Sequence, residues 1–367
     1  FSSRSHFIIF GLAILAVVLG LWFWNKSTAP TKINSIAVLP LKTLTADERT
    51  KALSLGLTDA LITRIGSLRQ VTVRPISAVT SFVDAPQDSL EIGKKLNVDA
   101  VLEGTIQQAD NRLRINARLL RTDNGEQIWA ERFDGEFTNI FDVQEQLSER
   151  TARALTLKFG GDEKERLTKR YTNSAEAFDE YVKGRYFWNK RTKDDLNKAI
   201  GYFNQAINKD PNYALAYAGL ADSYSLLADY NGAIPSQSYQ KAKDAALKAL
   251  EVDSELTEAH TSLAYVKMYY YHDWQGAESG YKKAIALNPN YATAHQWYSE
   301  YLAAMGRFDE ALVEIRRARE IDPLSPSVNA GEVWILYFAR RYDEAIEQGR
   351  KLAEMNPEFA EIHEYLK

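Results

Sequence analysis

The chain has 367 residues, 45% of them hydrophobic and 26% charged, with a formal net charge of -4, an ordinary globular composition for two to three domains. No basic excess exists to neutralise phosphates, which argues against a direct nucleic-acid surface in this portion. Cysteine is absent, which excludes disulfides, thiolate metal sites and cysteine nucleophiles and fits an oxidising compartment.

Phe7 to Trp24, FIIFGLAILAVVLGLWFW, is free of charge. As a helix of about 18 residues it would reach about 27 Å, close to the hydrocarbon thickness of a bilayer. Trp22, Phe23 and Trp24 sit where an interfacial aromatic belt would lie. The run predicts a single membrane span, against the alternatives of a cleaved signal peptide ending near Ser27-Thr28-Ala29 or a buried globular helix. Arg4 and His6 precede it and Lys26 and Lys32 follow it, so flanking charge does not orient it. The chain opens on Phe1 and closes on Tyr365-Leu366-Lys367 within a helical pattern. Both ends therefore read as cut, with a further module expected outside them.

Beyond a polar connector at Asn25 to Thr31, Ser35-Ile36-Ala37-Val38-Leu39-Pro40 reads as a buried strand ended by proline. Leu53, Leu57, Leu61, Ile65 and Leu68 then form a helical stripe, and Val71-Thr72-Val73 a second strand. Strand, helix, strand begins an α/β layer. Asp88 is a candidate N-cap with Glu91 three residues on. Ala100 to Gln107, Arg112 to Arg121 and Gln127 to Phe133 predict an antiparallel meander, the last turn carried by Asp123-Asn124-Gly125. A helix from Ile140 to Leu157 follows, and Gly160-Gly161 with four charged residues marks a flexible exit. Arg112, Arg114, Arg118 and Arg121 form the one local basic cluster. It reads either as the solvated face of an edge hairpin or as a docking surface for an acidic partner or lipid head groups.

The run Ile36-Ala37-Val38-Leu39-Pro40, then Gly56-Leu57-Thr58-Asp59, then Gly93 to Gly104, with Leu113 to Leu119, Asp123-Asn124-Gly125 and Trp129, resembles the extracytoplasmic domain related to the amino-terminal domain of TolB. The resemblance covers Ile33 to Phe159. It implies an α/β domain used for protein contacts, with no catalytic residues.

Internal repetition organises the remainder. Pro289, Pro323 and Pro357 lie 34 apart, as do Ala277, Ala311 and Ala345. Three residues before these alanines stand Trp274, Phe308 and Tyr342; Leu196 before Ala199 and Tyr239 before Ala242 repeat the arrangement. Seven residues after each alanine comes Ala206, Ala249, Ala284, Ala318 or Leu352. The pattern resembles the tetratricopeptide repeat, in which small alanines let two helices approach and a proline ends the second. Five units are expected, with second helices ending near Pro211, Ser254, Pro289, Pro323 and Pro357, and a sixth beginning at Glu358.

His260, His295 and His363 lie six after Ser254, Pro289 and Pro357, while Tyr217 and Asn329 hold the same place in other units. Recurrence at one repeat position reads as packing rather than metal ligation. His272, in Tyr269 to Asp273, reads as a partly exposed residue at a helix end. In tetratricopeptide proteins the first helix of each unit lines the inner groove, which places Tyr265, Met268 and Tyr269 in one unit and Trp334, Tyr337 and Phe338 in another. These are the candidate peptide-binding residues, suited to burying hydrophobic side chains, with packing between units as the alternative.

No phosphate-binding glycine loop, zinc-protease motif, nucleophile elbow or kinase signature occurs, and acid pairs such as Asp194-Asp195 lie in charged stretches. The portion reads as non-enzymatic, with no cofactor and no metal. The expected fold is multidomain, α+β and all-α: a transmembrane anchor over 1–26 (span 7–24), a TolB-like α/β domain over 33–159, a linker over 160–173 and a tetratricopeptide α-solenoid over 174–367. This order resembles transmembrane one-component regulators of the CadC/ToxR type, whose winged-helix DNA-binding domain precedes the span. The resemblance implies a bacterial inner-membrane location with an extracytoplasmic sensory region, a peptide or protein partner, and signalling through the single helix by dimerisation or domain packing. A membrane-anchored periplasmic scaffold and the outer region of a receptor kinase or nucleotide cyclase are the rival readings.

Overall fold

The computed structural model describes residues 32–43, 48–80, 82, 88–109, 112–136, 140–155, 157, 161–229 and 234–355. Six strands and fifteen α-helices are placed within them. The order is β1 (Ser35–Val38), β2 (Lys42–Thr43), α1 (Glu48–Gly66), β3 (Thr72–Val73), α2 (Ile76–Thr80), α3 (Ser89–Lys95), β4 (Ala100–Ala109), β5 (Arg112–Arg121), β6 (Gln127–Glu136), α4 (Ile140–Ala154) and α5 (Asp162–Thr168). Ten further helices follow: α6 (Ala175–Asn189), α7 (Lys193–Lys209), α8 (Ala214–Asp229), α9 (Pro235–Val252), α10 (Thr257–Val266), α11 (Trp274–Leu287), α12 (Ala292–Ala304), α13 (Phe308–Ile321), α14 (Pro326–Phe338) and α15 (Tyr342–Met355).

Among the described residues no helix is long and apolar enough to cross a membrane. The span expected at Phe7 to Trp24 lies outside them. The expected fold class is therefore corrected to a mostly helical chain with tetratricopeptide-like repeats and one small sheet, and the solenoid part of the expectation fits. The single-pass inner-membrane location rested on that span and is not supported. Two of the most apolar helices, α8 with 16 residues and α14 with 13, fall short of the roughly 20 needed to span. Each also buries a carboxylate, Asp222 and Glu332, against neighbouring helices.

The sheet runs in the order β3-β1-β4-β5-β6, with β2 also on β4. Its first half is parallel, Ile36 lying opposite Val73 and Ala100, because α1 carries the chain across between β1 and β3. Its second half is the expected antiparallel meander. Along β5 burial alternates, with Leu113, Ile115, Ala117 and Leu119 inward and Arg112, Arg114, Asn116 and Arg118 outward. Leu57, Leu61, Ile65 and Leu68 of the predicted α1 stripe are fully buried with Ile36, Leu102 and Ile115; each such side chain contributes about 1.5–3 kcal/mol by burial. The β5–β6 turn closes with Gly125 at φ 73°, a left-handed conformation that glycine adopts without a Cβ clash.

Three of the four arginines of the cluster are paired with acids of the sheet and its turn. Arg114 pairs with Asp134 at 2.7 Å, Arg121 with Glu126 at 3.6 Å, and Arg118 with Glu103. Neighbouring acids thus offset much of its charge, with Arg114 and Arg118 solvated and Arg121 largely buried.

The ten later helices form five antiparallel pairs. Ala199, Ala242, Ala277 and Ala311 are fully buried, as are Ala206, Ala249, Ala284 and Ala318 seven residues on. The residues three before the alanines divide: Leu196 and Tyr239 are buried, whereas Trp274 and Tyr342, each the first residue of its helix, are exposed. Equivalent polar residues clamp equivalent carbonyls. His260 Nε2 lies 2.9 Å from Ser254 O, His295 Nε2 3.1 Å from Pro289 O, and Asn329 Nδ2 donates to Pro323 O at 3.0 Å. Lys267–Tyr271 forms a π-helical turn ending at His272 with φ 53°, the helix end expected there. The described residues from Asn34 onward pack as one compact unit, with the sheet module seated against the repeats.

Candidate protein-interaction cleft

The first helices of all five pairs face the sheet module across a cleft of about 990 Å³. Residues of α6, α8, α10, α12 and α14 line one side; α1, β3 and α2 line the other. Such a volume lies at the upper end of small-ligand sites, which favour interfaces between modules.

Two contacts seat the module. At one end α1 crosses α6 where Gly56 removes a side chain: a Cβ there would lie 2.3 Å from Val182 Cγ2 and 3.1 Å from Phe178 Cζ. Phe178 also packs edge-on against Phe141 of α4. At the other end polar groups around β3 and α2 hold the loops between repeats. Arg69 Nη2 donates to Leu287 O at 2.8 Å, Asn290 Nδ2 to Val71 O at 3.1 Å, and Ser77 Oγ to Asp322 Oδ2 at 2.6 Å. Arg74 spans both parts, donating to Leu96 O (2.8 Å) and Asn97 O (2.7 Å) in the module and to Ile321 O (3.2 Å) and Glu320 O in the array.

Behind the α1 contact lies a buried charge cluster. Arg185 of α6 has its Nη1 4.0 Å from Asp222 Oδ2. Burial pushes the Asp222 carboxyl up to about 6 and Glu258 to about 7, with Arg185 opposing both shifts. Asp59 of α1 is also raised by burial and held back by Arg185. For Arg185, burial acts downward, yet Tyr181, Asp59, Tyr291 and Asp222 together hold it above its usual value. One guanidinium therefore serves carboxyls from both the module and the array.

The candidate residues divide. Tyr265, Tyr269 and Trp334 line the cleft. Tyr265 is buried, with ring centroids 4.3 Å from Tyr269 and 4.4 Å from Trp297. Tyr269 is 40% exposed and its hydroxyl donates to Glu300 Oε2 at 3.1 Å. Met268 is buried and does not line the cleft. Tyr337 and Phe338 are exposed outside it and cluster with Tyr342. Trp188, Trp297 and Tyr291 are cleft residues that sequence reasoning missed. The first-helix rule, applied to α6 and α12 as well, would have found Trp188 and Trp297; Tyr291 precedes α12 as its N-cap. Nothing in the spacing pointed to the module's Asp59 or Ser77. Among the described residues no group of three or more His, Asp or Glu side chains is placed to hold a metal.

A helical-repeat array with a small mixed sheet seated on its inner face is a protein-interaction region of the tetratricopeptide class. Residues 270–334 match the family model of the tetratricopeptide repeat. Residues 31–150 match that of the second domain of HilA/YgeH-like transcriptional regulators. The chain is thus a tetratricopeptide protein-interaction region related to HilA-like regulators.

A relative from Rhizobium meliloti (strain 1021) that carries the name of an adenylate cyclase is 30% identical over 234 residues, covering 63% of this chain and 39% of the relative. The transcriptional regulator HilA of Salmonella typhimurium is 28% identical over 180 residues, 49% of this chain and 32% of HilA. The chain therefore spans less than half the length of these relatives. Among solved structures, a thermophilic tetratricopeptide protein from Thermus thermophilus shares 18% identity at a TM-score of 0.44, over 52% of this chain and 96% of that one. TolB from Acinetobacter baumannii shares 17% identity at a TM-score of 0.27, over 35% of this chain and 29% of TolB.

Proposed function

We propose that this chain is the non-enzymatic partner-binding region of a HilA-like transcriptional regulator, and that it captures a peptide or protein segment in the aromatic cleft. The observation carrying this reading is the convergence of Tyr265, Tyr269 and Trp334 from different repeats on one concave face. Large aromatic side chains in a groove supply contact area at low entropic cost. In this reading residues 33–159 form the sheet module, 160–173 the connector and 174–367 the repeat array. Met268 belongs to the buried packing beneath the array surface, and Tyr337 and Phe338 extend the contact surface beyond the cleft.

A second reading, favoured by the 30% identity to the cyclase-named relative, makes the same region the partner-binding part of a nucleotide cyclase. DNA binding or nucleotide cyclisation would then reside outside this chain.

Photo-crosslinking tests the binding role. With benzophenone-alanine at position 334, a discrete adduct is expected, lost on Tyr269→Ala in a chain whose thermal unfolding is unchanged. The same adducts from position 313, an exposed site on a second helix, or no adduct from 334, would overturn it. The adduct's identity, transcription machinery or a cyclase assembly, separates the two readings.

A further inference from the structure

The inner face of the array is already occupied by a helix of the same chain. Along α1, Leu57, Leu61 and Ile65 are buried on the sheet side, while a second stripe is turned to the repeats. Gly56 meets Val182 and Phe178 of α6. Asp59, Ala60 and Thr63 line a small cavity with Tyr171, Phe178, Tyr181 and Tyr213. These four positions have the i, i+3, i+4, i+7 spacing of one helix face. The seat is complementary in shape, because a Cβ at position 56 would lie 2.3 Å from Val182 Cγ2, and Asp59 and the array's Arg185 line the same cleft beside it, the guanidinium opposing the rise that burial gives the Asp59 carboxyl.

The seat is also incompletely satisfied. Arg64 Nη1 and Gln144 Nε2 on the module side, and Arg185 Nε and Trp188 Nε1 on the array side, are buried without a hydrogen-bond partner. Undocking would hydrate them and so offset part of the lost contact. Much of the rest of the junction is side chain to helix-end carbonyl, including those of Leu287 and Ile321. A polar, partly unsatisfied junction is characteristic of modules that separate reversibly.

We propose that α1 is a helix ligand held in cis. The first-helix face recognises the stripe Gly56, Asp59, Ala60 and Thr63, and a partner helix with a small residue followed three positions later by a carboxylate takes its place when the module undocks. This rests on the partner-binding reading above and specifies its ligand as helical. It uses the helix-in-groove mode, in which spaced anchors on one face carry recognition.

The test uses the whole chain, which contains no cysteine, with dyes on cysteines introduced at the exposed Lys94 and Lys283. The probe is a synthetic, end-blocked peptide of residues 48–66. Energy transfer between the dyes reports docking. Gly56→Leu is expected to change the transfer efficiency before peptide is added. It should also raise apparent peptide affinity about tenfold or more, because the competing cis helix is gone. Arg185→Ala, which adds no bulk and so decides the case if Gly56→Leu fails to fold, should undock the module but bind the peptide more weakly than Gly56→Leu. A peptide that itself carries Gly56→Leu should bind neither. Unchanged transfer in both variants, or an undocked chain that takes the peptide no better than the wild type, overturns the proposal. An undocked chain that refuses the peptide but keeps the adduct at position 334 removes the cis-ligand inference alone; loss of both removes the partner-binding reading as well.

Discussion

Ser77 Oγ donates a 2.6 Å hydrogen bond to Asp322 Oδ2, joining two side chains 245 positions apart in the chain. Asp322 is buried, and the Ser77 hydroxyl leads the groups that hold its carboxyl, with Arg74 and the Ser325 backbone behind it. Ser77→Ala removes the one hydroxyl satisfying that carboxyl and should cost about 1–3 kcal/mol. Urea unfolding of the whole chain measures it. A midpoint identical to the wild type would mean that the bond contributes nothing to the module's seat.

Burial raises three carboxyls of the array, Asp222 and Asp322 to about 6 and Glu258 to about 7. Their folded values exceed the unfolded ones, so the fold favours the protonated forms. The stability they contribute is fully present below about pH 4 and is lost as pH rises through 6 to 7. A carboxyl raised by one pH unit contributes about 1.4 kcal/mol in this way. Glu278 acts oppositely: hydrogen bonds from Lys282 and Arg307 lower it to about 2, so its contribution is lost only under stronger acid. The melting temperature should therefore fall between pH 5 and pH 8, and Asp222→Asn should flatten that slope. A melting temperature rising across the window would contradict this account.

At position 295 the repeat itself supplies the control. His295 bridges Pro289 O and Glu314 Oε2 at 3.1 and 2.6 Å, while Asn329 makes the equivalent carbonyl contact one repeat later. His295→Asn should therefore keep the carbonyl contact and cost less than about 1.5 kcal/mol. His295→Leu loses both contacts and should cost about 1–3 kcal/mol. Equal losses in thermal unfolding would show that shape, not hydrogen bonding, governs the position.

Two tryptophans of the cleft separate packing from recognition. Trp297 is 3% exposed, whereas Trp334 is only half-buried. Trp297→Ala should destabilise by about 3–5 kcal/mol, the range for removing a buried large aromatic. Trp334→Ala should lower the unfolding midpoint much less while abolishing the crosslinked adduct from position 269. Comparable destabilisation by both would assign Trp334 to the core.

Much of the secondary structure was legible because its signals are local. The stripe from Leu53 to Leu68, the alternation along β5 and the alanine register of the repeats depend only on side-chain periodicity. The histidine position read as packing for the same reason, since one geometry recurs at His260, His295 and Asn329. The cleft was only half legible. Tyr265, Tyr269 and Trp334 follow from the first-helix rule, but the same rule also selected Met268, Tyr337 and Phe338. Which side of a first helix meets the groove depends on the superhelical path of its neighbours.

By itself, the sequence determined the helix pairs, the sheet meander and the balanced composition, all encoded in short-range spacing. It also carried the apolar run at Phe7 to Trp24, whose predicted span falls outside the described residues. Only the tertiary structure decided that the sheet module sits on the inner face of the array, with Gly56 against Val182 and Asp59 and Arg185 lining one cleft. That seat depends on shape and charge matching between surfaces distant in the chain, and no local pattern along either surface records it.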